Sequence, residues 1–251
     1  MRSAFLIAAL LLAIPACADE VQVAVAANFT APAKRIAEAF GQATGHKAVL
    51  AFGATGTFYA QIKNGAPFEV LLAADGETPA RLESEGDGVS GSSFTYAVGR
   101  LVLWSSRAGM VGEGGEILRS NAFKHLSVAN PKLAPYGAAA VETLTALGLL
   151  ASVQSRFVQA ENIAQAHQFV ATGNAELGFV ALSQVMQGGR ITEGSGWIVP
   201  ETLHRPIRQG AVLLVKGGDR PAARAWMEYL KGQVAREVIT SFGYALEQTR
   251  P

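Results

Sequence analysis

The chain has 251 residues, 49% of them hydrophobic and only 16% charged, with 21 Lys and Arg against 20 Asp and Glu. So even a balance, with charges below the roughly 25% usual in soluble domains, counts against nucleic acid or an anionic membrane surface as a partner. The length suits one large domain or two small ones.

Arg2 is followed by an apolar run from Ala4 to Ile14 and by Pro15-Ala16-Cys17-Ala18. A basic start, a short hydrophobic stretch and an A-x-A site predict a signal peptide over residues 1–18, too short to span a bilayer. The expected location is therefore periplasmic. Lipidation of Cys17 is the alternative, and Pro15 sits poorly for it. Cys17 is the one cysteine, so cleavage leaves a chain without disulfides, and loss of Arg2 leaves twenty charges of each sign.

From there the pattern alternates strand and helix. Val21 to Ala26 reads as a strand ending at Ala27-Asn28-Phe29-Thr30, and a helix follows with Ala33, Ile36, Ala37 and Phe40 on one face. Lys47 to Phe52 is a second strand; Gly53-Ala54-Thr55-Gly56-Thr57-Phe58 then turns into a helix that ends near Asn64-Gly65. Glu69 to Ala73 is a third, buried strand, with a short helix after Asp75-Gly76. Repeated β-α-β units imply a mainly parallel sheet flanked by helices.

Thr95 to Trp104 reads as one long strand, followed by a glycine-rich surface loop from Gly109 to Gly115. Leu126 to Ala129, Phe157 to Ala160 and Leu177 to Val180 are strands; Tyr136 to Leu147 and Ile163 to Ala171 are helices. Ile207 to Val215 is a second long strand, and helices over Ala222 to Leu230 and Val234 to Phe242 close the chain. Two long strands bracketing a middle α/β section predict two lobes joined by a double crossing: 19–97 with 206–251, and 98–205. A cleft between lobes is a preferred ligand site, and hinge closure is the motion it permits.

Nothing assembles a catalytic set. His46, His125, His167 and His204 lack zinc spacing and are expected on surfaces or helix faces. G-x-S-x-G and S-x-x-K are absent. Asp75 is a candidate base but a better helix cap ahead of Thr78. What recurs is the helix start: Asn28, Thr55, Tyr136 and Ile163 each stand where a helix begins, two in each expected lobe. If the four converge, they offer only neutral donors, namely backbone N–H groups, the Asn28 amide and the Thr55 and Tyr136 hydroxyls. Dipole ends and charge-assisted bonds can hold a dianion without Lys or Arg. A donor-only site disfavours an oxyanion that keeps its proton, because that O–H would find no acceptor.

The chain resembles the periplasmic molybdate-binding proteins of ABC importers. The resemblance rests on Val25-Ala26-Ala27-Asn28-Phe29-Thr30, the turn from Phe52 to Phe58 and Gln61-Ile62-Lys63-Asn64-Gly65-Ala66-Pro67. It continues through Ala73-Ala74-Asp75, Asn130-Pro131, Pro135-Tyr136-Gly137 and Glu161-Asn162-Ile163 to Tyr229-Leu230-Lys231-Gly232 and Phe242-Gly243-Tyr244, nearly the whole mature chain in family order. It implies a two-lobed type II periplasmic-binding-protein fold with a double-strand hinge, each lobe an α/β layer with a mainly parallel sheet. It also implies molybdate or tungstate as ligand, no cofactor and no enzyme activity, a membrane ABC permease as partner, and a monomer. Asn28 falls where most members carry Ser, and Thr55 matches a second hydroxyl ligand. Tyr136 and Ile163 match residues that donate backbone N–H. Ala181 stands where many members place a ligand Tyr, so Tyr136 is expected to supply a relocated hydroxyl. Sulfate or thiosulfate is the nearest alternative ligand; a secreted enzyme or a regulator's sensor domain on the same fold are the others.

Overall fold

The computed structural model describes residues 18–120 and 122–247, so the expected signal peptide, Ala18 apart, lies outside the described residues. The chain runs β1 (Glu20–Ala26), a 3-10 turn (Ala27–Phe29), α1 (Thr30–Thr44), β2 (Lys47–Gly53), α2 (Thr55–Lys63), β3 (Val70–Leu72), α3 (Glu77–Ser84) and β4 (Phe94–Gly99). There follow β5 (Leu101–Ser105), β6 (Leu126–Ala129), α4 (Pro135–Ala146), α5 (Leu150–Val153), β7 (Phe157–Ala160), α6 (Ile163–Ala171), β8 (Leu177–Ala181) and α7 (Leu182–Val185). A hairpin of β9 (Met186–Gln187) and β10 (Arg190–Ile191) precedes β11 (Ser195–Ile198), β12 (Ile207–Leu213), α8 (Pro221–Lys231) and α9 (Gln233–Ser241).

The large strands form two five-stranded sheets, β2-β1-β3-β12-β4 and β7-β6-β8-β5-β11. In the first, β1 is parallel to β2 and β3, whereas β12 is antiparallel to both β3 and β4. Four strands therefore point one way and β12 alone is reversed. The second sheet repeats this, with β6 parallel to β7 and β8 and β5 antiparallel to β8 and β11. In each sheet the reversed strand is the one that has just arrived from the other lobe. The two lobes thus share one plan, and β4–β5 and β11–β12 are the paired crossings.

The expected long strand from Thr95 to Trp104 is broken at Arg100. Val98 and Gly99 still pair with Arg208 and Ile207, so the chain changes sheets slightly later than the expected boundary after residue 97. On the return, residues 199–206 cross outside any strand. The strand β11 and the hairpin before it were not legible in the sequence. Ser195-Gly196-Trp197-Ile198 is short and glycine-bounded, and it is a strand because β5 supplies a partner edge.

Both faces of β1 are covered, which is why its run reads Val-Gln-Val-Ala-Val-Ala rather than as a clean alternation. The core of the first lobe gathers Phe29, Phe40, Tyr96, Trp226 and Tyr244, with Phe29 edge-on to Tyr96 (4.8 Å between ring centres) and to Tyr244 (5.4 Å). The C-terminal helices α8 and α9 enter this core through Trp226, Leu230 and Ile239, so both chain ends build one lobe. Aromatic packing reaches Tyr96 and Tyr244, whose hydroxyls look toward the interlobe surface.

Candidate anion-binding site between the lobes

A small hollow of about 200 Å³ lies between the lobes. Its walls come from just beyond strand ends: Ala26 to Asn28 after β1, Gly53 to Thr55 after β2, and Ala74 after β3. The second lobe adds Ala134 to Tyr136 at the start of α4, and Asn162 and Ile163 after β7. The carboxyl ends of strands are where open α/β sheets place ligands. Asn28, Thr55, Tyr136 and Ile163 all line this one hollow, and no Asp, Glu, Lys, Arg or His does.

Each helix start leaves chosen donors bare. Ile163 opens α6, and the Asn162 side chain accepts from the N–H groups of Ala164 and Gln165. That cap satisfies the second and third amides and leaves the first, Ile163 N–H, without an acceptor among the described residues. Pro135 opens α4 and has no N–H to offer, while Gly137 and Ala138 donate to Ala134 O; Tyr136 N–H is what remains. At α2 no side chain caps the start, and Thr55 N–H is likewise bare. The Thr55 hydroxyl accepts from Ala74 N–H at 3.0 Å, so its proton points elsewhere and is free for a ligand.

Two side chains differ from expectation. The Asn28 amide group is not free: Nδ2 donates to Gln209 Oε1 (2.8 Å) and to the Tyr244 hydroxyl (2.9 Å), and it is Oδ1 that is buried without a partner among the described residues. The Tyr136 hydroxyl is also engaged at the hinge. It accepts from Gln209 Nε2 at 3.2 Å and lies against Gly99, where an added Cβ would overlap it. The phenol reaches the crossing strands, where Gly99 has no side chain in its way.

These groups belong to one buried polar network at the hinge. The one proton of Tyr96 has two acceptors in reach, Ala73 O (3.2 Å) and Gln209 Oε1 (3.0 Å); Tyr244 reaches Asn28 O (2.8 Å) and Ser183 Oγ (2.9 Å); Ser183 donates to Asn28 O (3.0 Å). Burial pushes the phenols of Tyr96 and Tyr136 well above their ordinary value and Tyr244 to about 12, so all three stay neutral. Sequence reasoning missed Gln209, Tyr244 and Ser183. Gln209 is a fully buried polar residue beside the apolar run that ends β12, which was the one available signal.

The lobes are in contact across the hollow. Gly56 N–H donates to Leu133 O at 2.9 Å, and a Cβ on Gly56 would stand 3.0 Å from Leu133 Cα. Outside lies a larger cleft, where Arg205 on the return crossing pairs with Glu142 (2.7 Å) and approaches Glu77 (3.6 Å). Asp75 faces this cleft as a cap: its carboxylate accepts from Thr78 N–H at 2.7 Å, and burial raises its pKa. His204, expected at a surface or helix face, is buried with Nδ1 2.8 Å from Arg205 O.

A model of the bacterial extracellular solute-binding protein family matches residues 21–245. The chain belongs to that family. It is 64% identical to the molybdate-binding protein ModA of Azotobacter vinelandii over 94% of each chain. To that of Rhodobacter capsulatus it is 49% identical, covering 94% of this chain and 92% of the relative. Its structure matches the periplasmic molybdate-binding protein of A. vinelandii with a TM-score of 0.88 and 41% identity, over 91% of this chain and all of that one. The family members named here are solute-binding proteins of two α/β lobes, and this chain has their fold. A sulfate-binding protein of Mycobacterium tuberculosis shares that fold at 12% identity, with a TM-score of 0.75.

Proposed function

We propose that this protein captures molybdate, and tungstate with it, in the interlobe hollow and hands it to an ABC permease in the cytoplasmic membrane. One observation carries the proposal: the hollow is lined by bare helix-start amides from both lobes and by no charged side chain. Thr55 contributes N–H and hydroxyl, Tyr136 and Ile163 contribute N–H, and Asn28 contributes its place in the wall. A dianion is compensated there by four hydrogen-bond donors and by the positive ends of α2, α4 and α6. The names of the two ModA relatives support molybdate over other oxyanions. Secretion through a signal peptide over residues 1–18 and a monomeric state complete the reading, with hinges at Arg100 and in residues 199–206 between the two lobes.

Binding as a solute carrier requires no chemistry on the ligand. The lobes close, water leaves, and hydrogen bonds to the anion strengthen as the local dielectric falls. Thermal melting with molybdate, tungstate, sulfate and phosphate at equal concentration tests the proposal. Molybdate and tungstate raise the melting temperature by mass action on the folded state, and sulfate and phosphate barely move it. Equal shifts with all four would refute selection by cavity size and protonation.

A further inference from the structure

The hinge network holds one atom that its own bonding leaves stranded, and that atom sits on a wall of the hollow. Asn28 Oδ1 is buried and unpartnered, whereas every polar side-chain atom around it has a partner. An acceptor without a donor is costly when buried, and beside a dianion it is repulsive as well. Its orientation is dictated by Gln209, whose Oε1 takes Asn28 Nδ2 and whose Nε2 goes to Tyr136.

We propose that Gln209 is a positioning residue of the anion site: its carboxamide decides which edge of Asn28 faces the ligand and ties that choice to Tyr136 of the opposite lobe. The inference rests on the oxyanion function proposed above. Turning over both carboxamides swaps donors for acceptors at fixed positions. Gln209 Nε2 then donates to Asn28 Oδ1, and the Tyr244 hydroxyl also donates to it. Tyr136 donates its phenol proton to Gln209 Oε1, and Tyr96 keeps its bond to Ala73 O while accepting from Gln209. Tyr244 gives up its bond to Asn28 O, which Ser183 Oγ still satisfies, so every carbonyl oxygen of the network has a donor and Asn28 Nδ2 is released as one. A bare dianion, which accepts from Nδ2 and repels Oδ1, favours this arrangement. Neutrality is essential to the exchange, and burial of all three phenols maintains it.

Gln209 is suited to this by place as well as by chemistry. It stands on β12, the strand returning from the second lobe, at the irregularity between Gln209 and Gly210 in the pairing with β4. It therefore reads the first lobe through Asn28, the second through Tyr136, and the outgoing crossing through Tyr96. A residue bonded to both lobes and to both crossings at once couples ligand to closure.

The experiment is titration calorimetry with molybdate and sulfate on wild type, Gln209→Leu, Tyr136→Phe and the double variant, with ligand-free melting temperatures alongside. Gln209→Leu is expected to weaken molybdate tenfold or more and to narrow the molybdate-to-sulfate ratio. The double variant is expected to lose little beyond Gln209→Leu alone, since the two act as one unit. Gln209→Met, which keeps the length without the hydrogen bonds, serves if the leucine variant does not fold. On wild type, the Asn28 side-chain amide signal, assigned by its loss in Asn28→Asp, shifts on adding molybdate and not on adding sulfate. Wild type that binds no oxyanion would overturn the functional proposal itself. Wild type that binds molybdate while Gln209→Leu or Gln209→Met stays within twofold, or losses that simply multiply in the double variant, would overturn the positioning role alone.

Discussion

The two lobes are built on the same strand order, with one reversed strand at the same place in each sheet, yet they prepare their donors differently. In the second lobe the neighbours of the exposed amides are silenced by chemistry: Asn162 consumes two amides of α6, and Pro135 removes one from α4. What that lobe presents is backbone alone, at Tyr136 and Ile163. In the first lobe α2 has no side-chain cap, and a side chain, Thr55, takes part with its own hydroxyl. Backbone donors survive substitution of the side chain that carries them, whereas a hydroxyl does not. One lobe is thus robust to mutation at its contact residues, and the other is sensitive.

The largest effect is expected where the lobes meet rather than within either. Gly56→Val puts a branched side chain against Leu133, where even a Cβ is at 3.0 Å, and interferes with the Gly56 N–H bond to Leu133 O. Overpacking of this kind costs about 1–3 kcal/mol, and here closure bears it, so molybdate affinity falls by the upper part of that range. Calorimetry with small-angle scattering checks this: an intact fold that still compacts on adding ligand would count against it.

Next in size is the contrast between lobes. Thr55→Ala removes a donor from a charged acceptor and is expected to cost about 2 kcal/mol in binding. Ile163→Val keeps its amide and is expected to change affinity by less than about 0.5 kcal/mol. Equal losses in the two titrations would erase the distinction between side-chain and backbone lobes.

Asn162→Ala sharpens it further. Loss of the cap is expected to lower stability by about 1 kcal/mol in denaturant unfolding. It also bares the amides of Ala164 and Gln165, which then compete with Ile163 for the anion. Molybdate should still bind, with selectivity over sulfate reduced.

The smallest effect concerns pH. No lining residue is acidic or basic, so affinity should be flat from about pH 6 to 9, where molybdate is a dianion and ordinary carboxylates are ionised. The phenol of Tyr244 goes from 10.0 to about 12 on folding. A folded pKa above the unfolded one gives stability that is fully present below pH 10 and lost as pH climbs toward 12. Melting followed by circular dichroism between pH 8 and 11.5 reads that loss, and Tyr244→Phe should blunt it.

Much of this was legible in the sequence alone. The strand-to-helix junctions at Asn28, Thr55, Tyr136 and Ile163 stand out because glycine, proline, hydroxyl and amide residues punctuate apolar runs, and local chemistry fixes where helices begin. The break at Arg100 was hidden, because Thr95 to Trp104 is continuously strand-like and only a change of partner sheet interrupts it.

The sequence by itself determined the order of strands and helices, the absence of charge at the four junctions, and which amides are left uncapped, since each depends on neighbours a few residues away. Only the tertiary structure decided where the side chains of Asn28 and Tyr136 point. Their partners Gln209 and Tyr244 lie up to 216 positions along the chain, brought near by the double crossing. Side-chain hydrogen bonds over that separation leave no periodic trace; they exist because two lobes fold onto one hinge.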